Sequence, residues 1–144
     1  MKPPPSLKSA MTPFPYSVER KAPLAEARHV MDQYKVRHLP VTDGHELVGI
    51  VTDRDLRSVM AAPQSRKIVS NLTVKDLYIA DAYVVDLNEP LETVLLTMAE
   101  RHIGSALVTR QGRLAGVFTA VDACRTFGEY IRENFPRPDG DEAA

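Results

Sequence analysis

The stretch that decides the fold is VRHLPVTDGHELVGIVTDRDL, from Val36 to Leu56. Its two apolar runs flank Asp43-Gly44, a dipeptide typical of tight hairpin turns, and the second run is rich in β-branched residues. The segment TDRD at residues 52–55 then has the spacing of a helix N-cap. The stretch therefore predicts a two-stranded hairpin that leads directly into a helix.

The same pattern returns 67 residues later in IGSALVTRQGRLAGVFTAVDA, from Ile103 to Ala123, where the turn is expected at Gln111-Gly112. Pairing residues 16–55 with residues 83–122 needs no gap and gives 11 identities in 40 positions. The identities fall in a strand, a helix, the hairpin and the start of a second helix. We therefore predict an α+β fold of two β-α-β-β-α repeats that pack sheet against sheet about a pseudo-twofold axis, because neither repeat is large enough to bury its own faces.

The segments outside the repeats are polar or rich in proline. We expect a flexible arm at residues 1–10, repeat 1 at 11–60, a linker at 61–72, repeat 2 with an extended C-terminal helix at 73–135, and a flexible tail at 136–144. Helices are expected to begin near Pro23 and Pro90. The residues predicted to face inward are Leu24, Ala27, Met31 and Tyr34 in the first helix, and Leu91, Val94, Leu95 and Met98 in the second.

The composition excludes several functional classes. With 44% hydrophobic and 26% charged residues the chain has the usage of a globular protein, and its net charge of -1 offers no general field for nucleic acid or an anionic membrane. The single cysteine, Cys124, is expected to be buried packing, and no Cys or His spacing indicates a metal site. There is no apolar signal core or span of about 20 apolar residues, so we expect a soluble cytoplasmic protein.

Two heptapeptides carry a family resemblance: GIVTDRD at residues 49–55 and GVFTAVD at residues 116–122. Together with the preceding RHLPV at residues 37–41, they resemble a tandem pair of CBS domains, the regulatory unit called a Bateman module, over roughly residues 11 to 130. The resemblance implies a regulatory module, not an enzyme, that senses an adenosine nucleotide between its repeats and signals to a partner by conformational change. AMP, ADP or ATP is the implied ligand, ahead of S-adenosylmethionine or NAD, with no covalent cofactor.

The family commonly dimerises through the helices that flank its sheets. We therefore expect a homodimer, with the helices near Pro23 and Pro90 and the terminal helix through Phe127, Ile131 and Phe135 as candidate faces. The regulated partner is not identified by the sequence, and no catalytic, channel or transporter domain is recognised beside the repeats. The alternative function is a non-catalytic dimerisation or scaffold subunit whose pockets are degenerate and empty.

Thr52 with Asp55, and Thr119 with Asp122, are explained by the residues alone as capping boxes at two helix starts. The resemblance adds a second role, in which the Asp accepts hydrogen bonds from ribose hydroxyls and the Thr lies against the ribose or phosphate. Further candidate ligand contacts lie in the extended segments, where apolar walls could hold an adenine, although the tyrosines fit a core role equally well. These candidates are Tyr16, Val18, Tyr83, Val85 and Pro40.

The cations of the two repeats differ. In the family, the positions of Arg37, His38 and Arg54 can reach across the axis toward the phosphates of a nucleotide whose ribose is held by the other repeat. Repeat 2 has Gly104, Ser105 and Val121 at the same positions. We therefore predict that the site of Thr119 and Asp122 takes a phosphate-bearing ligand. The site of Thr52 and Asp55 is predicted to lack equivalent cations and to bind a less charged adenosyl ligand, bind weakly or stand empty.

Overall fold

A computed structural model describes residues 1–61 and 71–138. Its elements are, in chain order, α1 (Leu7–Ala10), β1 (Thr12–Pro13), β2 (Val18–Glu19), α2 (Leu24–Tyr34), β3 (His38–Asp43), β4 (Glu46–Thr52), α3 (Asp53–Met60), a short 3-10 helix (Val74–Asp76), β5 (Val84–Asp86), α4 (Leu91–Arg101), β6 (Ser105–Arg110), β7 (Arg113–Thr119) and α5 (Ala120–Asn134). Most of the predicted linker and of the predicted tail lies outside these residues.

The predicted β-α-β-β-α order is confirmed in both repeats. In repeat 1, β2 is parallel to β3 and β3 is antiparallel to β4, while in repeat 2 the strands β5, β6 and β7 are arranged in the same way. The helices α2 and α4 make the crossovers between the parallel strands, as parallel pairing requires. The fold is therefore one unit used twice.

The two hairpin turns occupy equivalent positions, residues 44–45 and residues 111–112. Gln111 and Gly112 form the second turn as predicted, both with positive φ angles of 53° and 78°. The first turn was predicted at Asp43-Gly44, but Asp43 pairs with Glu46 and the turn consists of Gly44 and His45. The same register shift occurs in both hairpins, between Val41 and Thr42 and between Val108 and Thr109, so Asp43 takes the last ladder position as Arg110 does, and Gly44, with φ 66°, takes the first position of the turn.

Each repeat is completed by the segment that leads into the other repeat. Leu7 and Ala10 of α1 are 1% and 2% exposed in the core of repeat 2, whereas Val74 of the 3-10 helix is fully buried in the core of repeat 1. The prediction of a flexible arm at residues 1–10 is therefore wrong for residues 7–10. Ser6 caps α1, and the side chains of Leu7 and Ala10 are buried against repeat 2. The three prolines that precede this segment led to the prediction that it is unstructured.

The segments that precede each repeat pair with a strand of the other repeat, and each passes close to a glycine. Ile79 pairs with Ile50 of β4, and β1 pairs with β7 at Val117 and Gly116. A Cβ atom on Gly49 would overlap the Ile79 carbonyl oxygen and lie 2.7 Å from the Tyr78 ring, and one on Gly116 would lie 2.9 Å from the Thr12 carbonyl oxygen. The glycine of each GIVTDRD-type heptapeptide therefore permits a backbone crossing.

The two repeats also share a small apolar core. Ile50 of β4 and Val117 of β7, which occupy equivalent positions, are buried together with Leu107 of β6. The predicted sheet-against-sheet packing therefore rests on the second strand of each hairpin, β4 and β7, with Leu107 of β6, and Ala82 of the segment before β5 packs against it.

Three side chains predicted to be buried lie at the surface. Tyr34 is 41% exposed and stacks on Tyr16, whereas Leu95 of α4 is 36% exposed and Cys124 of α5 is also exposed. Leu95 and Cys124 lie on helix faces that no sheet covers, so helical spacing alone assigned them to the wrong side. The other large apolar side chains exposed on or next to α4 and α5 are Leu96, Val121, Phe127, Ile131 and Phe135.

The substitution Gly49→Ala tests the backbone crossing. Because the Ile79 carbonyl cannot move away without breaking its pairing with Ile50, we expect a loss of about 1–3 kcal/mol in the free energy of unfolding, measured by urea denaturation. Gly128→Ala in α5 is the matched control, since nothing lies within 4 Å of its added methyl group. The control should gain about 0.5–1 kcal/mol through helix propensity. A neutral Gly49→Ala would contradict the role of the crossing.

Candidate functional site

Thr52 and Asp55 meet at the start of α3. The Thr52 hydroxyl accepts a hydrogen bond from the Asp55 N–H at 3.2 Å and donates one to Asp55 Oδ2 at 2.7 Å. Among the residues that the structure describes, Asp55 has no other hydrogen bond or ion pair, so its Oδ1 is available as an acceptor. The cap therefore forms while half of the carboxylate remains unused.

A cleft of about 830 Å³ opens next to this carboxylate, between the two repeats. We name it the Asp55 cleft. In repeat 1 the wall of the cleft consists of the start of α3, the start of β3 and the end of β4. In the second half of the chain it consists of the segment that pairs with β4 and the turn after α4. The lining residues are His38, Ile50, Thr52, Arg54 and Asp55 from repeat 1, and Ile79, Asp81, Ala82, Tyr83, Val84, Arg101, His102, Ile103, Gly104, Ser105 and Leu107 from the second half of the chain.

The Asp55 cleft contains two guanidinium groups, those of Arg54 and Arg101. The Arg101 guanidinium lies 5.2 Å from the centre of the Tyr83 ring, a cation–π distance that holds it at the wall of the cleft. The site of Thr52 and Asp55 was predicted to lack cations equivalent to Arg37, His38 and Arg54, but Arg54 itself and Arg101 line it. Arg101 was not predicted from the sequence, because it is the last residue of α4 and lies outside the family motifs. Its equivalent in repeat 1 is the uncharged Tyr34, so the comparison of the repeats did not indicate it either.

His38 is half-buried and lines the same cleft, where a Cβ atom on Gly104 would lie 3.7 Å from its Nε2. Burial lowers the pKa of His38 below its ordinary value of 6.5, and the neighbouring charge of Arg37 lowers it further. His38 is therefore neutral at neutral pH and offers hydrogen bonds, not the positive charge expected of it. Arg37 is exposed and does not line the Asp55 cleft.

The equivalent carboxylate in repeat 2 is fully engaged. Asp122 Oδ2 accepts hydrogen bonds from the N–H and the hydroxyl of Thr119 at 3.0 and 3.1 Å. Asp122 Oδ1 accepts from Arg125 Nη2 at 3.3 Å and from the Thr12 hydroxyl at 3.4 Å. The residues at the equivalent positions around Asp55 are Ser58, whose hydroxyl donates to the Arg54 carbonyl oxygen, and Ile79, whose side chain has no hydrogen-bond donor. The two repeats therefore differ in how much of the carboxylate is free.

The candidate adenine contacts are dispersed. Tyr83 lines the Asp55 cleft, next to Val84, whereas Val85 is 7% exposed and enters the core of repeat 2 because successive strand residues face opposite sides. Val18 and Pro40 are likewise buried in repeat 1. Tyr16, the equivalent of Tyr83, is 48% exposed and its ring stacks on Tyr34 with 3.6 Å between the centroids.

The sequence did not predict that the lead-in segment of repeat 2, which precedes β5, lines the cleft. Ile79, Asp81 and Ala82 line the cleft because Ile79 pairs with β4, and the turn at His102 brings Gly104 to the opposite wall. His102 has the left-handed conformation, with φ 54° and ψ 43°, as has its equivalent Lys35. The family motifs mark none of these positions.

Two further findings bear on the classes of function. Within residues 1–61 and 71–138, no three His, Cys, Asp or Glu side chains are grouped so that they could hold a metal ion. In the same ranges, no helix has both the length and the apolar content that a membrane crossing needs.

A model of the CBS domain matches residues 7–62 and residues 74–129. The chain belongs to the CBS domain family. The two matched ranges begin at α1 and at the 3-10 helix, 67 residues apart, so the CBS repeats include the lead-in segments that complete each other's cores. The resemblance seen in the sequence is thus confirmed, with a start for repeat 1 at residue 7 instead of residue 11.

Among known proteins, inosine-5'-monophosphate dehydrogenase of Thermoplasma acidophilum is 32% identical over 121 residues, which cover 84% of this chain but only 22% of the dehydrogenase. The chain thus spans about a fifth of the length of that enzyme. A putative acetoin utilization protein, AcuB, from Vibrio cholerae has a similar structure, with a TM-score of 0.77 and 22% identity over 94% of this chain and 100% of that one. The protein CBSX2, solved in complex with AMP, has a TM-score of 0.75 and 26% identity over 88% of this chain and 98% of that one.

His38 should make the stability of the fold depend on pH. Because its pKa is lowered in the folded state, the unfolded chain binds the proton more readily, and the free energy of unfolding should fall as the pH drops below about 6.5. The slope for one proton is at most about 1.4 kcal/mol per pH unit. In His38→Gln the urea-denaturation midpoint should depend less on pH in this range, and in Arg37→Ala the dependence should be reduced in part. An unchanged profile in His38→Gln would contradict the assignment.

Proposed function

We propose that this CBS pair is a regulatory module that binds an adenosine nucleotide in the Asp55 cleft. The observation that carries the proposal is the combination, in one cleft between the repeats, of a carboxylate with an unused oxygen and two guanidinium groups. The likeness to CBSX2, which has been solved with AMP, supports the class of ligand. AMP, ADP and ATP are the preferred candidates, ahead of S-adenosylmethionine and NAD.

The ribose is assigned to Asp55 and Thr52. A vicinal diol offers two O–H donors, and a carboxylate accepts both in charge-assisted hydrogen bonds, which are stronger than neutral ones. Asp55 Oδ1 is free for this purpose, whereas both oxygens of Asp122 are already engaged. We therefore assign the first bound nucleotide to Asp55 and not, as the sequence suggested, to Asp122.

The base and the phosphates are assigned to opposite ends of the cleft. Ile50, Ile103 and Leu107 supply apolar surface for a purine, and the extended backbone near Ala82 offers amide and carbonyl groups to its edge. Arg54 and Arg101 supply the charge for phosphate. Guanidinium groups suit phosphate because their donors form paired, nearly planar contacts.

Signalling would follow because both repeats contribute residues to the cleft. A nucleotide held by Asp55 on one side and Arg101 on the other favours whichever angle between the repeats lets both contacts form, and thereby shifts the population of that arrangement. A regulated protein that binds the two arrangements unequally would sense the ligand. This mechanism needs no catalytic group, and we propose that the CBS pair itself is not an enzyme.

The alternative is a scaffold subunit without a ligand, in which the Thr-x-x-Asp motifs serve only as helix caps. The geometry around Asp122 favours this reading for repeat 2, where the reciprocal capping box is complete. In repeat 1 the bond from the Thr52 backbone N–H to Asp55 is missing, and only the hydroxyl-to-carboxylate bond that both repeats share is formed. The proposal and its alternative therefore differ most at Asp55.

Calorimetry with AMP and adenosine tests the assignment. Asp55→Asn should weaken both ligands by about 10- to 100-fold, because a charge-assisted hydrogen bond contributes about 1.5–3 kcal/mol. Arg101→Ala should weaken AMP by about tenfold while leaving adenosine unchanged, since only AMP carries a phosphate. Arg110→Ala, exposed at the far end of β6, is the control. Absence of binding by any adenosine nucleotide near millimolar concentration would favour the scaffold.

We further propose that the chain forms a homodimer through its outer helices. Phe127 of α5 and Phe135, which follows α5, are 66% and 60% exposed, and Leu96 of α4 is 70% exposed. Phe127 lines one groove together with Leu95 and Cys124, so part of this exposed apolar surface is contiguous. Light scattering should give a mass near twice the 16.0 kDa of one chain. A mass of 16.0 kDa at micromolar concentration would refute the dimer.

A further inference from the structure

The outer helices of the two repeats have opposite chemistry at equivalent positions. In repeat 2 the outer sides of α4 and α5 present Leu95, Leu96, Cys124 and Phe127, all exposed, and we call this surface the apolar face. Three of the residues 67 positions earlier, on α2 and α3, are basic, and we call their surface the basic face: Arg28, His29 and Arg57. The fourth, Met60, packs against the core of repeat 1. A duplicated backbone thus carries one face suited to apolar contact and one that is charged.

The charges of the basic face already have partners within repeat 1. Arg28 forms ion pairs with Asp53 at 2.7 Å and with Asp32 at 2.9 Å, and Arg57 pairs with Asp53 at 2.9 Å. The Arg28 guanidinium accordingly holds the pKa of Asp53 below its ordinary value. In repeat 2 the two aspartates are replaced by Ala120 and Ala99, so neither half of this ion-pair network has an equivalent there.

A groove of about 1010 Å³ lies beside the apolar face. Its walls are residues 4–8 of the N-terminal segment, the start of α4 and one side of α5, and it includes Leu95, Cys124 and Phe127. Thr126 also lines it, with its hydroxyl buried and without a hydrogen-bond partner in the described part of the chain. Leu96, which is 70% exposed, protrudes outside the groove. One surface therefore offers both a hollow and protruding apolar side chains, as a self-complementary contact requires.

We propose that two copies of the chain meet repeat 2 to repeat 2, with α5 of one copy against α5 of the other. The inference rests on the homodimer proposed above and specifies its arrangement. A head-to-tail dimer would press Leu95, Leu96 and Phe127 onto the basic face of the partner, and would remove Arg28 and Arg57 from water without supplying new acceptors. Pairing the apolar faces removes only apolar surface from water, which is favourable.

Matched substitutions in the two repeats distinguish these arrangements. Leu96→Asp and Phe127→Asp place a charge on the apolar face, and His29→Asp and Met60→Asp place the same charge at the equivalent positions of repeat 1. We expect light scattering to give 16.0 kDa for the first pair of variants and twice that mass for the second pair. A head-to-tail dimer would be weakened by both pairs alike, and that result would overturn the proposal. Unchanged far-ultraviolet circular dichroism shows that each variant is folded.

Cys124 supplies an independent readout, because it is the single cysteine of the chain and lies on the apolar face. A short bismaleimide, to which each thiol adds across one maleimide double bond, should join the two chains of the wild-type dimer. In a mixture of wild type with the variant Arg57→Cys, Cys124→Ser, it should give no crosslink between the two kinds of chain. A mixed crosslink would indicate the head-to-tail dimer and overturn the proposal.

The outcomes separate this inference from the proposed homodimer. If the wild type itself has a mass of 16.0 kDa, the homodimer fails, and its arrangement fails with it. If the wild type is a dimer and Leu96→Asp and Phe127→Asp leave it intact, only the arrangement through repeat 2 fails. Nucleotide binding at Asp55 is measured separately and is not affected by either result.

Discussion

The structure depends on a reciprocal exchange of lead-in segments between two equivalent repeats. The segment before repeat 1 adds β1 to the sheet of repeat 2 and buries Leu7 in its core, and the segment before repeat 2 pairs Ile79 with Ile50 and buries Val74 in the core of repeat 1. Neither repeat has a complete core without the other half of the chain. The glycines at positions 49 and 116 make the exchange possible, because any side chain there would occupy the space of the crossing backbone.

The Asp55 cleft is a direct result of this exchange. Pairing of Ile79 with β4 places Asp81 and the following residues alongside Thr52 and Asp55, although they are separated by the whole connection between the repeats. A ligand in this cleft necessarily contacts both halves of the chain. Binding of the proposed ligand would therefore be linked to the relative position of the repeats, which is the physical requirement for a module that reports on a ligand.

The pseudo-symmetry of the backbone does not extend to the chemistry of the side chains. Asp55 retains an unused oxygen while Asp122 is held by Arg125 and Thr12, and Arg101 occupies the place that Tyr34 has in repeat 1. The outer helices diverge as strongly, since Arg28 in its ion pairs is equivalent to the exposed Leu95. Duplication has thus produced two copies of one fold, and a few substitutions account for the proposed binding at Asp55 and the proposed association through repeat 2.

The sequence by itself determined the repeat, the order of its elements, the capped helix starts at Thr52 and Thr119, and the family. These features depend on neighbours along the chain, so periodicity, turn dipeptides and a constant offset of 67 residues reveal them. Only the tertiary structure decided that Leu7 belongs to the core of repeat 2 and that Arg101 shares a cleft with Asp55. It also decided that Leu95 and Cys124 face outward. Each of these outcomes depends on which distant segment covers a given face, and the side chains adjacent in sequence carry no information about that partner.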